Sequence, residues 1–174
     1  CPADPLEARA AVHEAIRATG PVYVRLGKSG EPTLHHKMPK SLAHIQYLRD
    51  GKDALILGVG AVVEECLIAA DILMADGVDV TVASCPTVVP MDFGWLDEWH
   101  AGPPIITVEE HRIPGGFGSA VLEQIVDNSS QATVLRLGLD DTKLSMIGSG
   151  SYLRKIHGLD GPSIAESVWR ALES

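Results

Sequence analysis

Residues 54–77, ALILGVGAVVEECLIAADILMADG, decide the fold. Ala54 to Val59 is a continuous apolar run, the pattern of a strand covered on both faces. Beyond Gly58 and Gly60 the period changes. Val62, Val63, Cys66, Leu67, Ala70, Leu73 and Met74 recur at helical spacing, with Glu64, Glu65 and Asp71 on the outer face. Gly77 closes the helix. Gly58-x-Gly60 between a strand and a helix is the geometry of a dinucleotide-binding turn. The third glycine is replaced by Val63, however, and the next strand ends at Ser84 without an acidic residue for a ribose. A tight turn with close backbone passage is the simpler reading.

The same alternation continues outward. On the C-terminal side VDVTVAS reads as a strand, PMDFGWLDEWH as a short helix and PPIITVEEH as a strand. GGFGSAVLEQIVDN follows as a helix, ATVLRLGL as a strand, and Pro162 to Leu172 as a closing helix. On the N-terminal side IQYLRDGKDALILGVG reads as a hairpin turned at Asp50-Gly51. Strands separated by helices require right-handed crossovers and a mostly parallel sheet, to which the hairpin adds one antiparallel strand. Further upstream, Asp4, Pro5 and Glu7 mark a helix start of the capping-box kind, and Gly20-Pro21 ends that helix. VYVRL (residues 22–26) then reads as a strand. Residues 27–43, GKSGEPTLHHKMPKSLA, have no period and serve as a linker. The chain thus divides into 1–26, the linker 27–43, and a body of one domain's size at 44–174.

At 174 residues and 45% hydrophobic, such a chain buries roughly 70% of its unfolded surface and needs no staple. A net charge of −9 argues against a nucleic-acid binder, which needs clustered Lys and Arg. No apolar run reaches the roughly 18 residues of a membrane span. Three cysteines (Cys1, Cys66 and Cys85) without CxxC spacing suit a reducing, cytoplasmic setting.

The segment richest in chemistry is EEHRIPGGFGSA, residues 109–120. Glu109, Glu110 and His111 end a strand and are candidates for acid–base work, because α/β sheets place their sites at carboxyl strand ends. The loop of Gly115, Gly116, Gly118 and Ser119 opens a helix whose free amides suit an anion, and its glycines let a ligand or neighbouring chain approach. The structural alternative is that Glu109 or Glu110 caps the helix or pairs across an interface, with the glycines serving close packing. Elsewhere, His35 and His36 lie in the linker as a pair without a third ligand. His13 and His157 fall on exposed helical faces, and His44 and His100 have no partner pattern. Cys85 before Pro86 reads as a structural thiol. Trp95 and Trp99 share one helical face and read as core or subunit contact.

Four collinear segments carry a family resemblance: PADPLEARAAV…GPVYVRLGK, DGKDALILGVGAVVEECLIAADILMADGVDVTVASCPTVVPMD, IITVEEHRIPGGFGSAVLE and GSGSYLRKIHGLDGPSI. Together they resemble the carboxyl-terminal part of transketolase-type, thiamine-diphosphate-dependent enzymes, above all the second subunit of split transketolases. The resemblance implies a three-layer α/β fold: a five-stranded, mostly parallel sheet with one antiparallel strand and helices on both sides. It implies that residues 1–26 are the tail of a pyrimidine-binding domain within a longer parent. That parent would transfer a two-carbon ketol unit with thiamine diphosphate and Mg²⁺. This portion would bind neither alone, and would serve packing and assembly with the remaining domains, a partner subunit or a second copy. The β subunit of a 2-oxo-acid dehydrogenase and a non-catalytic interaction module are the other readings; TVEEH and YLRKIHGLD favour transketolase. The sequence departs from its relatives at Ser84-Cys85-Pro86-Thr87, where transketolases often carry a basic or His residue near a bound sugar phosphate.

Overall fold

Five strands, β1 (Gln46–Arg49), β2 (Leu55–Val59), β3 (Thr81–Ser84), β4 (Ile105–Arg112) and β5 (Val134–Leu139), form one sheet in the order β1-β3-β2-β4-β5. The structure, a computed structural model, describes residues 1–28, 30–99 and 102–173. β1 pairs antiparallel with β3, and every other pairing is parallel. Six helices complete the described fold: α1 (Pro5–Arg17), α2 (Val63–Ala75), α3 (Leu96–Trp99), α4 (Phe117–Asp127), α5 (Gly150–His157) and α6 (Gly161–Leu172).

Alternation along the strands builds two cores, one on each face of the sheet. Ile56, Val80, Val82, Ile106 and Val108 meet α2 and α6 on one side. Leu55, Leu57, Val59, Ala83 and Ile105 meet Trp95, Leu96, Trp99, Phe117, Val121 and Ile125 on the other. Every residue of β2 and β3 is buried, which is why β2 reads as an unbroken apolar run, while β3 buries Thr81 and Ser84 as well. Each fully buried Leu or Ile contributes about 1.5–3 kcal/mol relative to exposure, so these two clusters carry most of the fold. Trp95 and Trp99 are core residues.

Four sequence expectations change. The segment around Asp50-Gly51 does not make a hairpin: β1 pairs with β3, and β2 lies between β3 and β4. Gly51 instead passes against the Val80 backbone, where its amide donates to, and its carbonyl accepts from, Thr81 Oγ1 at 2.9 and 2.7 Å. VYVRL forms no strand. Among the described residues it has no pairing partner, and Tyr23 stays 88% exposed; an isolated β segment is not stable. On α2 the buried face runs through Val63, Cys66, Ala69, Ala70 and Leu73, while Met74 is 42% exposed. The face turns towards Ala69 because α6 packs on that flank, with Gly161 against Ile68 and Ala69. Glu65 consequently moves inside and pairs with Arg154.

The first helix starts as its sequence dictates. Asp4 Oδ1 accepts the Glu7 amide at 2.8 Å, and Pro5 occupies the first turn. The reciprocal half of the capping box is displaced by one residue, since Glu7 Oε2 accepts the amide of Ala3 at 2.7 Å. Residues 18–45 hold no helix or strand where described.

Candidate functional site

The pairing of β4 with β2 ends with Val59 opposite Glu109, β4 runs on beside β5 to Arg112, and Ile113–Gly116 turn the chain into α4. A helix start leaves amides without partners, and Gly116 at the N-cap has no side chain to offer them. Glu109 supplies the acceptor from eight residues back: Oε2 takes the Phe117 amide at 2.7 Å and Oε1 the Gly118 amide at 2.9 Å. Glu109 is only 1% exposed. Burial pushes its carboxyl above the usual carboxylate range, against the pull of the two amides and of His111 and Arg136.

The glycines make this cap possible. A Cβ on Gly116 would collide with Glu109 Oε2 and the Arg112 carbonyl, and one on Gly118 with Thr107 and Arg136. The close approach their sequence predicts is therefore made within the chain. Gly115 adopts φ +73° and faces open space. Ser119 ties the loop down. Its hydroxyl donates to the Ile113 carbonyl at 2.9 Å and accepts from the Gly115 amide at 3.1 Å and Arg136 Nη1 at 2.9 Å.

Glu110 and His111 separate from Glu109. Glu110 Oε1 accepts from Arg154 Nε at 2.8 Å, and Arg154 also lies 3.5 Å from Glu65 Oε1. Glu65 Oε2 accepts the Gly161 amide at 2.8 Å, so one arginine and two carboxylates join β4, α2, α5 and α6. Burial opposes the Arg154 charge, but Glu110, Glu65 and Glu64 outweigh it and raise its pKa. His111 is exposed, its Nδ1 3.2 Å from the Arg112 carbonyl. Arg112 grips Asp141 through two contacts of 2.6 Å. The three neighbours in sequence thus diverge into a cap, a structural ion pair and a solvated imidazole, and no two of their side chains share a reacting centre.

The remaining candidates resolve as follows. Gly58 packs against Val63 and Cys66, and Gly60 takes φ +75° at the start of a 3-10 turn, so the glycine pair serves strand-to-helix packing. Cys85 is buried, which pushes its thiol up to about 12 and keeps it protonated, a state unsuited to a nucleophile. His13 and His36 are exposed. His157 is half-buried rather than exposed, because its Nδ1 accepts the Asp140 amide at 3.0 Å. His44 has a partner that spacing does not reveal, Asp92, with Nδ1 2.6 Å from Oδ2. His35 is enclosed between Asp4 and Glu7. His100 lies outside the described residues.

The chain has known relatives. Residues 43–164 match the family model described as "Transketolase, C-terminal domain". The chain belongs to the transketolase family, in its C-terminal domain. Among its curated relatives, one of the subunits of an apulose-4-phosphate transketolase from Actinobacillus succinogenes is 34% identical over 95% of this chain and 54% of the relative. The putative transketolase C-terminal section of Methanocaldococcus jannaschii is 30% identical over 99% of this chain and 54% of its own length. A 1-deoxy-D-xylulose-5-phosphate synthase from Syntrophotalea carbinolica is 35% identical over 96% of this chain but only 27% of the relative. A split-gene transketolase solved as an inactive β4 tetramer superposes with a TM-score of 0.90 at 31% identity, covering 99% of this chain and 56% of that one. The chain therefore spans about half, or less, of the proteins it matches.

The transketolase C-terminal domain thus has the α/β sheet expected of it, with one antiparallel strand. Among the described residues, the site at the start of α4 is not shaped for the diphosphate and metal of thiamine diphosphate. Among the described residues no group of three or more His, Cys, Asp or Glu is placed to hold a metal ion. The amides at the start of α4, which would suit a phosphate, are already taken by Glu109. Among the described residues no helix is long and apolar enough to cross a membrane.

Proposed function

We propose that this chain is the C-terminal portion of a transketolase-like enzyme that transfers a two-carbon ketol unit with thiamine diphosphate and Mg²⁺. In this reading residues 1–26 are the tail of the pyrimidine-binding domain, 27–43 the linker and 44–174 the C-terminal domain. The observation that carries it is the TM-score of 0.90, over 99% of the chain, with a split-gene transketolase. The portion itself serves packing and subunit assembly, its partners being the cofactor-binding domains of the same enzyme and a second copy. The Gly115–Ser119 loop, with Gly115 open to its surroundings, is its contact edge. Thiamine diphosphate and Mg²⁺ are held by those other parts, and this chain alone binds neither. A cytoplasmic setting accords with the three free cysteines. A synthase of the 1-deoxy-D-xylulose-5-phosphate kind is the second reading, favoured by 35% identity over 96% of the chain.

The test is an assay of the complete gene product with its partner subunit, thiamine diphosphate and Mg²⁺. The reading expects ketol transfer between sugar phosphates from the full assembly and none from residues 1–174 alone. Transfer by this chain alone, or none by the full assembly, overturns it. Formation of 1-deoxy-D-xylulose-5-phosphate by the assembly selects the second reading.

A further inference from the structure

Away from β4, a second group of buried polar side chains gathers where α1, the 27–43 segment and the end of β3 meet. Asp4 anchors it, accepting the amides of Glu7, Leu34 and His35 at 2.8, 2.9 and 2.9 Å, with His35 Nδ1 3.1 Å from its Oδ2. Glu7 Oε2 accepts the Ala3 amide and the Ser84 hydroxyl at 2.7 and 3.2 Å. Two atoms are left over. Among the described residues Glu7 Oε1 and His35 Nε2 are both buried without a hydrogen-bond partner, and they face each other across 3.4 Å. The His35 side chain is only 10% exposed and that of Glu7 not at all, so water does not readily serve either atom.

The inventory of donors decides what this means. With Nδ1–H directed at Asp4, a neutral imidazole presents a lone pair at Nε2, and a carboxylate oxygen presents only lone pairs. Two buried acceptors facing each other are mutually unfavourable, whereas one proton between them satisfies both. We propose that His35 and Glu7 share one bound proton and form a clamp that fastens the 27–43 segment to α1 and β3, and that loss of this proton releases Leu34 and His35 from Asp4.

The groups facing the pair are Asp4 at the N-cap of α1, the Ser84 hydroxyl at the end of β3, the Cys85 thiol just beyond it, and the amino group of Cys1. Burial raises the Glu7 carboxyl above its ordinary value, against the pull of the Ala3 amide, Ser84 and His35. A group so shifted adds stability at acid pH, which is lost as pH rises through its folded value. Asp4 behaves oppositely. Burial alone would raise it, but three amides and the His35 ring outweigh that and hold it below the usual carboxylate value. It therefore remains a charged anchor while the proton between its neighbours comes and goes.

The experiment is NMR on the 174-residue chain from about pH 5 to about pH 9, a window that opens just above the ordinary carboxylate values and spans the ordinary imidazole value. The ¹⁵N shifts of the His35 ring report whether Nε2 carries the proton, and hydrogen exchange of the Leu34 and His35 amides, corrected for intrinsic rate, reports the clamp. At acid pH one proton is expected between the two atoms, seen either as an N–H at Nε2 or as a hydrogen bond that Nε2 accepts from the Glu7 carboxyl. Protection of the two amides should then fall by up to about tenfold per pH unit once the proton leaves, as for release linked to one proton. Glu7→Gln, whose side-chain amide donates to Nε2 without titrating, should keep the amides protected throughout; His35→Gln should leave them weakly protected at every pH. An Nε2 that neither carries a proton nor accepts a hydrogen bond at acid pH, pH-independent protection in the wild type, or an undiminished fall in Glu7→Gln overturns the proposal.

Discussion

The carboxylate of Glu109 occupies the space that a side chain on Gly116 would need, and from there it reaches the first amides of α4. Neither residue works without the other. The glycine makes room for the cap, and the cap supplies the acceptor that the glycine lacks. Gly116→Ala should therefore cost about 1–3 kcal/mol, the scale of overpacking a filled site, and Gly116→Val more. Urea unfolding followed by circular dichroism measures it; unchanged stability in the alanine variant would contradict the packing.

Replacing Glu109 itself should change how stability depends on pH. Its carboxyl is raised in the folded chain, so its contribution is present at acid pH and lost as pH rises through the folded value. Glu109→Gln removes that titration. The stability of wild type relative to this variant should fall between about pH 4 and about pH 7, the span above the ordinary carboxylate value. Parallel denaturation curves across that range provide the check, and a difference that grows with pH would mean the amides outweigh burial.

Arg154 stands between two carboxylates with only 16% of its side chain exposed. Arg154→Ala would leave Glu65 and Glu110 facing each other uncompensated. The expected cost is about 2–3 kcal/mol, below the ~3–5 kcal/mol of a fully buried pair because Glu110 keeps some solvent contact. Lysine should recover only part, since it offers one point charge to two acceptors. Thermal unfolding of the three proteins at low and high salt would show it.

Cys66 and Cys85 are both buried with thiols raised by that burial. Neither should react with an aromatic disulfide reagent in the native chain at pH 8, and both should react at once in denaturant. Native-state labelling of Cys85 within seconds would show that the end of β3 opens.

The sheet was legible wherever pattern and pairing are local. The run Ala54–Val59 and the helical spacing after it lead directly to β2 and α2. The hairpin reading failed because Asp50-Gly51 is a turn in composition while the strand it should return to is claimed by two parallel neighbours. VYVRL has every local mark of a strand and, among the described residues, none of the partners. At the site, the capping role of Glu109 was among the alternatives its position allowed, eight residues before its acceptors' helix. The pairs His35–Glu7 and His44–Asp92 were not legible, because they join residues far apart along the chain through folds of the linker that no spacing rule describes.

The strand order also has a temporal side. β1 ends at Arg49, but its hydrogen-bonding neighbour in the sheet, β3, begins at Thr81. On a ribosome, QYLR is therefore made and extruded well before the strand that will receive it. Through that interval β2 and α2 emerge, and β2 is itself the other neighbour of β3. One of the two edge strands of the sheet is thus the first to be synthesised and must wait for its place, so the N-terminal segment it follows is tethered to the domain only once β3 has been delivered.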